Sequence, residues 1–171
     1  PWYPGETLSA GIGQGYMLTT PMQLAVATNA LATRGEHRSP RLVRTINGES
    51  VVPPLLERVP GLPENWQAVH AGMHSVVHGA RGSARKIAKG IQYEVGGKTG
   101  TAQVIGIAQN AVYKEEEVAE RHRNHGLFIA FAPFEAPTIA LAVIVENGGG
   151  SSAAYPIARK VMDTWLLGDA G

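Results

Sequence analysis

Residues 93–104 read YEVGGKTGTAQV, and two apolar runs follow, LFIAFAPF at 127–134 and TIALAVIVE at 138–146. The apolar runs are separated by a short connection bounded by prolines, so they predict an antiparallel hairpin of buried strands. The Val, Thr and Tyr content of the first stretch predicts a third strand. Its three glycines weaken that pattern and indicate that something approaches the backbone closely. Together the three stretches predict consecutive strands of an antiparallel sheet.

Helices are predicted on both sides of these strands. Residues 20–23 combine a capping Thr, Pro at the first helical position and Gln at the third, so a helix begins there and ends at Gly35. Residues 64–78 form a second helix, and the serine pair 151–152 caps a last helix that ends at Gly168. The predicted core side chains of these helices include Trp66, Ile157, Val161, Met162, Trp165 and Leu166. The layout is α+β, an antiparallel sheet flanked by helices.

The remaining segments are predicted as connections. Residues 1–19 are rich in Gly and Pro and read as irregular, and residues 53–63 hold four prolines and read as a linker. Residues 41–46 and 51–52 pair as a short ribbon across an Asn-Gly turn. Residues 106–125 are polar and long for a connection, which predicts a mobile insertion or a helix at its centre.

Composition limits the function classes. A chain of 171 residues fits a single domain, and its net charge of +1 from 15 basic and 14 acidic residues argues against nucleic acid as a partner. Cysteine is absent, which excludes disulfides, thiolate nucleophiles and Cys metal sites within this sequence. No apolar run approaches the roughly 18 residues of a membrane span. The chain begins at Pro1 without an initiator Met, so we expect a piece of a longer protein.

Lys98-Thr99-Gly100 is a motif typical of serine β-lactamases and penicillin-binding proteins. A substrate that ends in a carboxylate needs a cation and hydroxyl donors, and Lys98, Thr99 and Thr101 supply both. On a strand, Thr99 and Thr101 share one face and Lys98 points the other way. The Thr101 N–H can serve as an oxyanion-hole donor, and its C=O can accept a substrate amide at the strand edge. The triplet alone is weak, because it arises by chance in roughly one chain in ten of this length.

The residues around the motif decide its meaning. Residues 96–103, GGKTGTAQ, resemble the third-strand signature of class B penicillin-binding transpeptidases. Residues 2–6 and 11–16 resemble one family within that class, the elongation-specific penicillin-binding protein 2 family of rod-shaped Gram-negative bacteria. Further matches, in the order of that family, are Thr20-Pro21, Tyr113, 119–121, 131–133, 146–149 and 167–169. The resemblance covers nearly all 171 residues.

The resemblance implies the C-terminal half of a transpeptidase domain, with residues 1–171 as a single partial domain. It implies a serine acyl-enzyme that cross-links peptidoglycan stem peptides and is captured by β-lactams. In that family Lys98 would tune a proton-relay serine, while Thr99 and Thr101 would meet the substrate carboxylate. Gly100 would leave room for the peptide, and Ala102 would complete the substrate-binding strand. The family's nucleophilic Ser-x-x-Lys and its Ser-x-Asn motif are missing from their proper places, so we expect this chain alone to be inactive.

The resemblance also implies partners and a location. The expected partners are stem peptides, β-lactams, a glycan polymerase of the rod system with its elongation complex, and the missing N-terminal half of the same domain. The expected location is the periplasmic side of the inner membrane, anchored by an N-terminal helix outside this sequence. No cofactor or metal is expected. Two alternatives stay open: a D,D-carboxypeptidase, and a non-catalytic scaffold module that keeps the fold.

Two patterns compete with this interpretation. Ser83-Ala84-Arg85-Lys86 matches Ser-x-x-Lys literally, but it lies too close to Lys98 for the intervening helix and Ser-x-Asn motif, so we interpret Ser83 as a turn cap after Gly82. His70, His74 and His78 have the spacing of metal ligands on one helix face. They lack a carboxylate partner at matched spacing, which favours a solvated polar face instead.

Overall fold

The computed structural model describes residues 2–15, 17–52, 54–105 and 118–168. The helices in these ranges are α1 (Pro4–Gly11), α2 (Pro21–Ala32), α3 (Pro63–His78) and α4 (Tyr155–Leu167). The strands are β1 (Glu36–Arg38), β2 (Thr45–Ile46), β3 (Glu49–Ser50), β4 (Leu55–Arg58), β5 (Gly96–Ala102), β6 (His125–Ala132) and β7 (Ile139–Val145). Short 3₁₀ turns lie at Arg85–Ala88, Glu120–His122 and Ser151–Ala153. None of the helices in the described ranges is long and apolar enough to cross a bilayer.

The main sheet confirms the predicted three strands. Its order is β5-β6-β7, and both pairs are antiparallel. In the register, Thr99 lies opposite Phe128 and Lys98 lies opposite Ile129. Directly opposed residues share a face, so the two faces of the sheet can be read from these pairs.

Helices cover both faces of this sheet. On one face Phe128, Ala130 and Leu141 pack with Ala158 and Met162 of α4. On the other face, Phe131 packs with Ala32 of α2 and Met73 of α3. This two-sided packing gives the α+β layer arrangement that the sequence predicts.

Helix α2 confirms its predicted start. The Thr20 hydroxyl accepts from the Gln23 backbone N–H at 3.2 Å, and the Gln23 side chain accepts from the Thr20 N–H at 2.8 Å. At the other end, Gly35 N donates to Ala30 O at 2.7 Å and Arg34 adopts a φ of 55°. Arg34 therefore takes the left-handed position, and Gly35 follows it with a φ of 108°.

Two predicted connections are wrong. Residues 1–19 include α1, which begins at Pro4. Residues 53–63 include β4, which pairs with β1 so that Glu36 lies opposite Arg58. The predicted ribbon across the Asn-Gly turn exists, but its strands β2 and β3 have only two residues each, and the second is Glu49–Ser50 and not the predicted 51–52. Of the predicted insertion at 106–125, residues 106–117 lie outside the described residues.

The predicted start of α4 is also wrong, and of its predicted buried face Met162 and Leu166 pack in the core while the other three side chains do not. Its N-cap is Ala154 without a side-chain hydrogen bond, because Ser151–Ala153 forms a 3₁₀ turn instead. Met162 is buried, but Ile157, Val161 and Trp165 are 46%, 44% and 61% exposed. The predicted end at Gly168 is confirmed.

Candidate active site

Glycines at the start of β5 let aromatic rings of β6 lie directly on its backbone. A Cβ on Gly97 would stand 2.6 Å from Phe128 Cζ, and a Cβ on Gly96 would overlap the Phe131 ring. Both phenylalanines are fully buried, so the rings cannot give way. The close approach predicted for this strand is thus made, at Gly96 and Gly97, by the protein's own core. At Gly100 a Cβ would stand 3.3 Å from Leu127 Cβ.

Lys98 marks the point where β5 emerges from the core. Gly96 and Gly97 are buried, whereas Lys98 and Thr101 are exposed. Lys98 lies on the face opposite to Thr99, since its partner Ile129 packs in the cluster beneath α2. Its Nζ donates to the Thr99 carbonyl oxygen at 2.6 Å. Within the described residues β5 pairs with β6 alone, which leaves the other edge of the strand open to a peptide.

Thr99 has a side-chain partner that the sequence does not predict. The Ser83 and Thr99 hydroxyl oxygens are 2.8 Å apart. The predicted capping role of Ser83 is wrong, because the following 3₁₀ turn has Ala84 as its N-cap without a side-chain bond. Ser83 and Thr99 are separated by 16 positions, and no local pattern links them.

Thr101 lies beside the glycine-rich segment 148–150. It is paired with Gly126 across the sheet, and a Cβ on Gly126 would overlap the Gly150 carbonyl oxygen. A Cβ on Gly150 would lie 3.9 Å from Thr101 Oγ1. The missing side chain of Gly126 therefore lets this segment close over the end of β5 on the face that carries both threonines.

A cavity of about 340 Å³ continues from the end of β5. It is lined by residues 13–15, by Met17 and Leu18, and by residues 102–105. The predicted substrate-binding residue Ala102 therefore lies at the boundary between the strand and this cavity. A larger groove of about 720 Å³ lies between α2, α3 and the β1–β4 pair, but none of the described residues that line it carries a hydroxyl group.

The three histidines of α3 form internal contacts. His70 is buried, and its Nε2 lies 2.7 Å from the Leu31 carbonyl oxygen. His74 pairs with Glu94 at 3.4 Å and stacks on His78, with ring centroids 4.6 Å apart. The predicted solvated face is therefore wrong. The described residues contain no group of three or more His, Cys, Asp or Glu that could hold a metal ion.

His78 accepts a backbone hydrogen bond that fixes the entry to β5. The Val95 N–H donates to His78 Nε2 at 3.0 Å, which requires the neutral ring. Burial lowers the pKa of His78, and the neighbouring His74 lowers it further, while Glu94 opposes the change. The ring therefore stays an acceptor just before Gly96.

Comparisons with known proteins identify the family of the chain. Residues 1–163 match the penicillin binding protein transpeptidase domain. The chain is 42% identical over 172 residues to a Haemophilus influenzae protein named peptidoglycan D,D-transpeptidase MrdA, covering 97% of this chain and 26% of that protein. The chain thus spans about a quarter of the length of this curated relative.

Two solved structures resemble the fold closely. The crystal structure of Pseudomonas aeruginosa PBP2 in complex with WCK 5153 superposes with a TM-score of 0.81 at 47% identity, over 99% of this chain and 36% of the other. A second structure, described as the structural coordination of polymerization and crosslinking by a peptidoglycan synthase complex, superposes with a TM-score of 0.78 at 34% identity. The match covers 100% of this chain and 27% of the other. Together with the domain match, these likenesses establish that the chain belongs to the penicillin-binding protein transpeptidase domain family.

Proposed function

We propose that this chain supplies the Lys-Thr-Gly wall of a peptidoglycan D,D-transpeptidase and forms the C-terminal half of its catalytic domain. The observation that carries the proposal is the placement of Thr99 and Thr101 on one face of an open-edged strand, with the preceding Lys98 on the other face. Support comes from the relative named peptidoglycan D,D-transpeptidase, although the chain covers only a quarter of its length. The rest of the intact protein would supply the nucleophilic serine.

Each residue of the strand has a role in the proposed acyl transfer. The Thr99 and Thr101 hydroxyls would donate to the terminal carboxylate of the stem peptide. The Thr101 N–H would donate to the carbonyl oxygen on which negative charge develops during serine attack. Lys98 would tune the proton-relay serine from the face of the strand opposite to the two threonines. Gly100 would keep a side chain out of the peptide's path, and the backbone at Ala102 would continue the strand-like pairing.

The proposed substrates and partners follow from the same chemistry. A penicillin carries a carboxylate beside a strained amide, so it would enter the site as the stem peptide does and remain as a stable acyl-enzyme. The relative in a peptidoglycan synthase complex favours a glycan polymerase as partner of the intact protein. Because peptidoglycan lies outside the inner membrane, we infer a periplasmic position for the domain, held by a membrane anchor elsewhere in the protein.

The experiment that tests this proposal uses fluorescent penicillin and the intact protein that carries this chain. Thr101→Pro removes the N–H and should slow acylation by about 10² to 10³-fold. Thr101→Ala keeps the N–H and removes only the hydroxyl, so it should retain most of the oxyanion contribution. Equal labelling of the Thr101→Pro variant and the wild type, with equal melting temperatures, would rule out the oxyanion role.

Acceptor assays separate the transpeptidase from a D,D-carboxypeptidase. A transpeptidase transfers the acyl group to an amine such as a D-amino acid, whereas a carboxypeptidase transfers it to water. We expect the intact protein to form the amide product with an added D-amino acid. Release of D-alanine without any amide product would favour the carboxypeptidase, and absence of any acylation would favour the scaffold.

A further inference from the structure

The hydrogen bond between Ser83 and Thr99 joins two hydroxyls that could each serve another partner. Each hydroxyl has one hydrogen to donate and two lone pairs to accept with. At an O–O distance of 2.8 Å, only one of the two donates to the other. The hydroxyl that accepts in this pair keeps its own hydrogen for a third group.

The segment that carries Ser83 is held firmly against the end of α3. Ala84 is fully buried, and its N–H donates to the Val76 carbonyl oxygen at 3.0 Å. A Cβ on Gly82 would stand 2.6 Å from the Ser75 carbonyl oxygen, so this close approach requires glycine. Arg85 also donates to the Ala80 carbonyl oxygen at 2.7 Å. Ser83 is therefore a fixed point beside β5 and not part of a loose loop.

We propose that Ser83 is a positioning residue that sets the direction of the Thr99 hydroxyl. Ser83 Oγ donates to Thr99 Oγ1, and this leaves the Thr99 hydrogen directed at the substrate carboxylate. The inference rests on the proposed function, in which Thr99 binds that carboxylate. Without Ser83, the Thr99 hydroxyl rotates among other partners and loses its preference for an anionic group.

The geometry separates this role from that of a nucleophile. A serine nucleophile needs a base within hydrogen-bond reach, and in the described residues the recorded partner of Ser83 Oγ is the hydroxyl of Thr99. A threonine hydroxyl cannot act as a general base near neutral pH. Ser83 thus acts through Thr99 and forms no bond with the substrate.

The test compares benzylpenicillin with its methyl ester, which lacks the carboxylate, on the intact protein. Acylation rates are measured by competition with fluorescent penicillin, and the readout is the acid-to-ester ratio of rate constants. Ser83→Ala should lower this ratio by about three- to tenfold through slower acylation by the acid. Ser83→Thr keeps a donor and should restore the wild-type ratio. Ser50→Ala, on the exposed β2–β3 hairpin, is the matched control and should leave the ratio unchanged.

The ratio is independent of the active fraction of a sample, so partial unfolding of a variant does not obscure the result.

Thr99→Val should lower the ratio, and the double variant Ser83→Ala/Thr99→Val should match Thr99→Val alone, because Ser83 acts only through Thr99. An equal fall for acid and ester in Ser83→Ala, or full additivity in the double variant, overturns the positioning role while the proposed function stands. An unchanged ratio in Thr99→Val overturns the carboxylate-binding role itself, and the role of Ser83 falls with it.

Discussion

Replacing Gly126 by alanine tests the packing that brings the glycine-rich segment over Thr101. The added Cβ would overlap the Gly150 carbonyl oxygen and lie 2.7 Å from the Gly150 carbonyl carbon. Both are backbone atoms, so no side-chain rotation relieves the contact. Overpacking of this kind costs about 1–3 kcal/mol. The lower chain entropy of alanine in the unfolded state returns about 0.7 kcal/mol, so with a cost near the middle of that range, about 2 kcal/mol, we expect a net loss of about 1.3 kcal/mol.

The same substitution should impair the site. Gly126 is the sheet partner of Thr101, and moving residues 148–150 away would loosen the end of β5. We expect slower acylation by benzylpenicillin and faster hydrogen exchange in residues 124–128 of the intact protein. Gly72→Ala is the control, because a Cβ there meets nothing within 4 Å and lies inside helix α3. It should stabilise the protein by about 0.5–1 kcal/mol. A Gly126→Ala variant with the stability and acylation rate of the wild type would refute the packing argument.

Three further predictions concern other parts of the molecule. The pKa of His78 in the folded protein is lowered from 6.5, so just below that pH the unfolded chain binds more protons than the folded one. The free energy of unfolding should therefore fall as the pH drops through this range. In urea denaturation, His78→Gln should make the free energy of unfolding less dependent on pH. Tyr93→Phe removes the 2.7 Å bond to Asp163 and should lower stability by about 1 kcal/mol in the same assay, since Arg159 still pairs with that carboxylate. The purified 171-residue chain should form no adduct with fluorescent penicillin, and a label mapped to Ser83 by mass spectrometry would contradict that expectation.

The predictable parts of the fold are those with strong local signals. The capping residues at Thr20 and Gln23 locate the start of α2 directly, because the bonds they make are within one turn. The runs at 127–134 and 138–146 are long and apolar. Such runs must be buried on both faces, which predicts adjacent central strands. The Lys98 triplet gave the position of the candidate site through its resemblance to a known family.

The parts that sequence could not predict depend on contacts distant along the chain. Strand β4 lies in a proline-rich stretch, and its prolines fall outside the paired residues Leu55–Arg58, so only the partner β1 reveals it. Helix α4 carries two adjacent apolar stripes. The stripe with Ala158 and Met162 faces the sheet because a small residue permits close approach, whereas the bulkier neighbouring stripe stays exposed. The contact between Ser83 and Thr99 likewise follows from how α3 ends beside β5.

A crystal structure of the intact protein acylated by benzylpenicillin tests the central claim most directly. We predict that the acyl carbonyl oxygen lies about 3 Å from the Thr101 backbone nitrogen, with the oxygen accepting from its N–H. We also predict that the penicillin carboxylate accepts from the Thr99 and Thr101 hydroxyls, with Ser83 still bonded to Thr99. An acyl group attached to Ser83, or a carboxylate bound away from both threonines, would contradict the assignment of this strand as the substrate-binding wall.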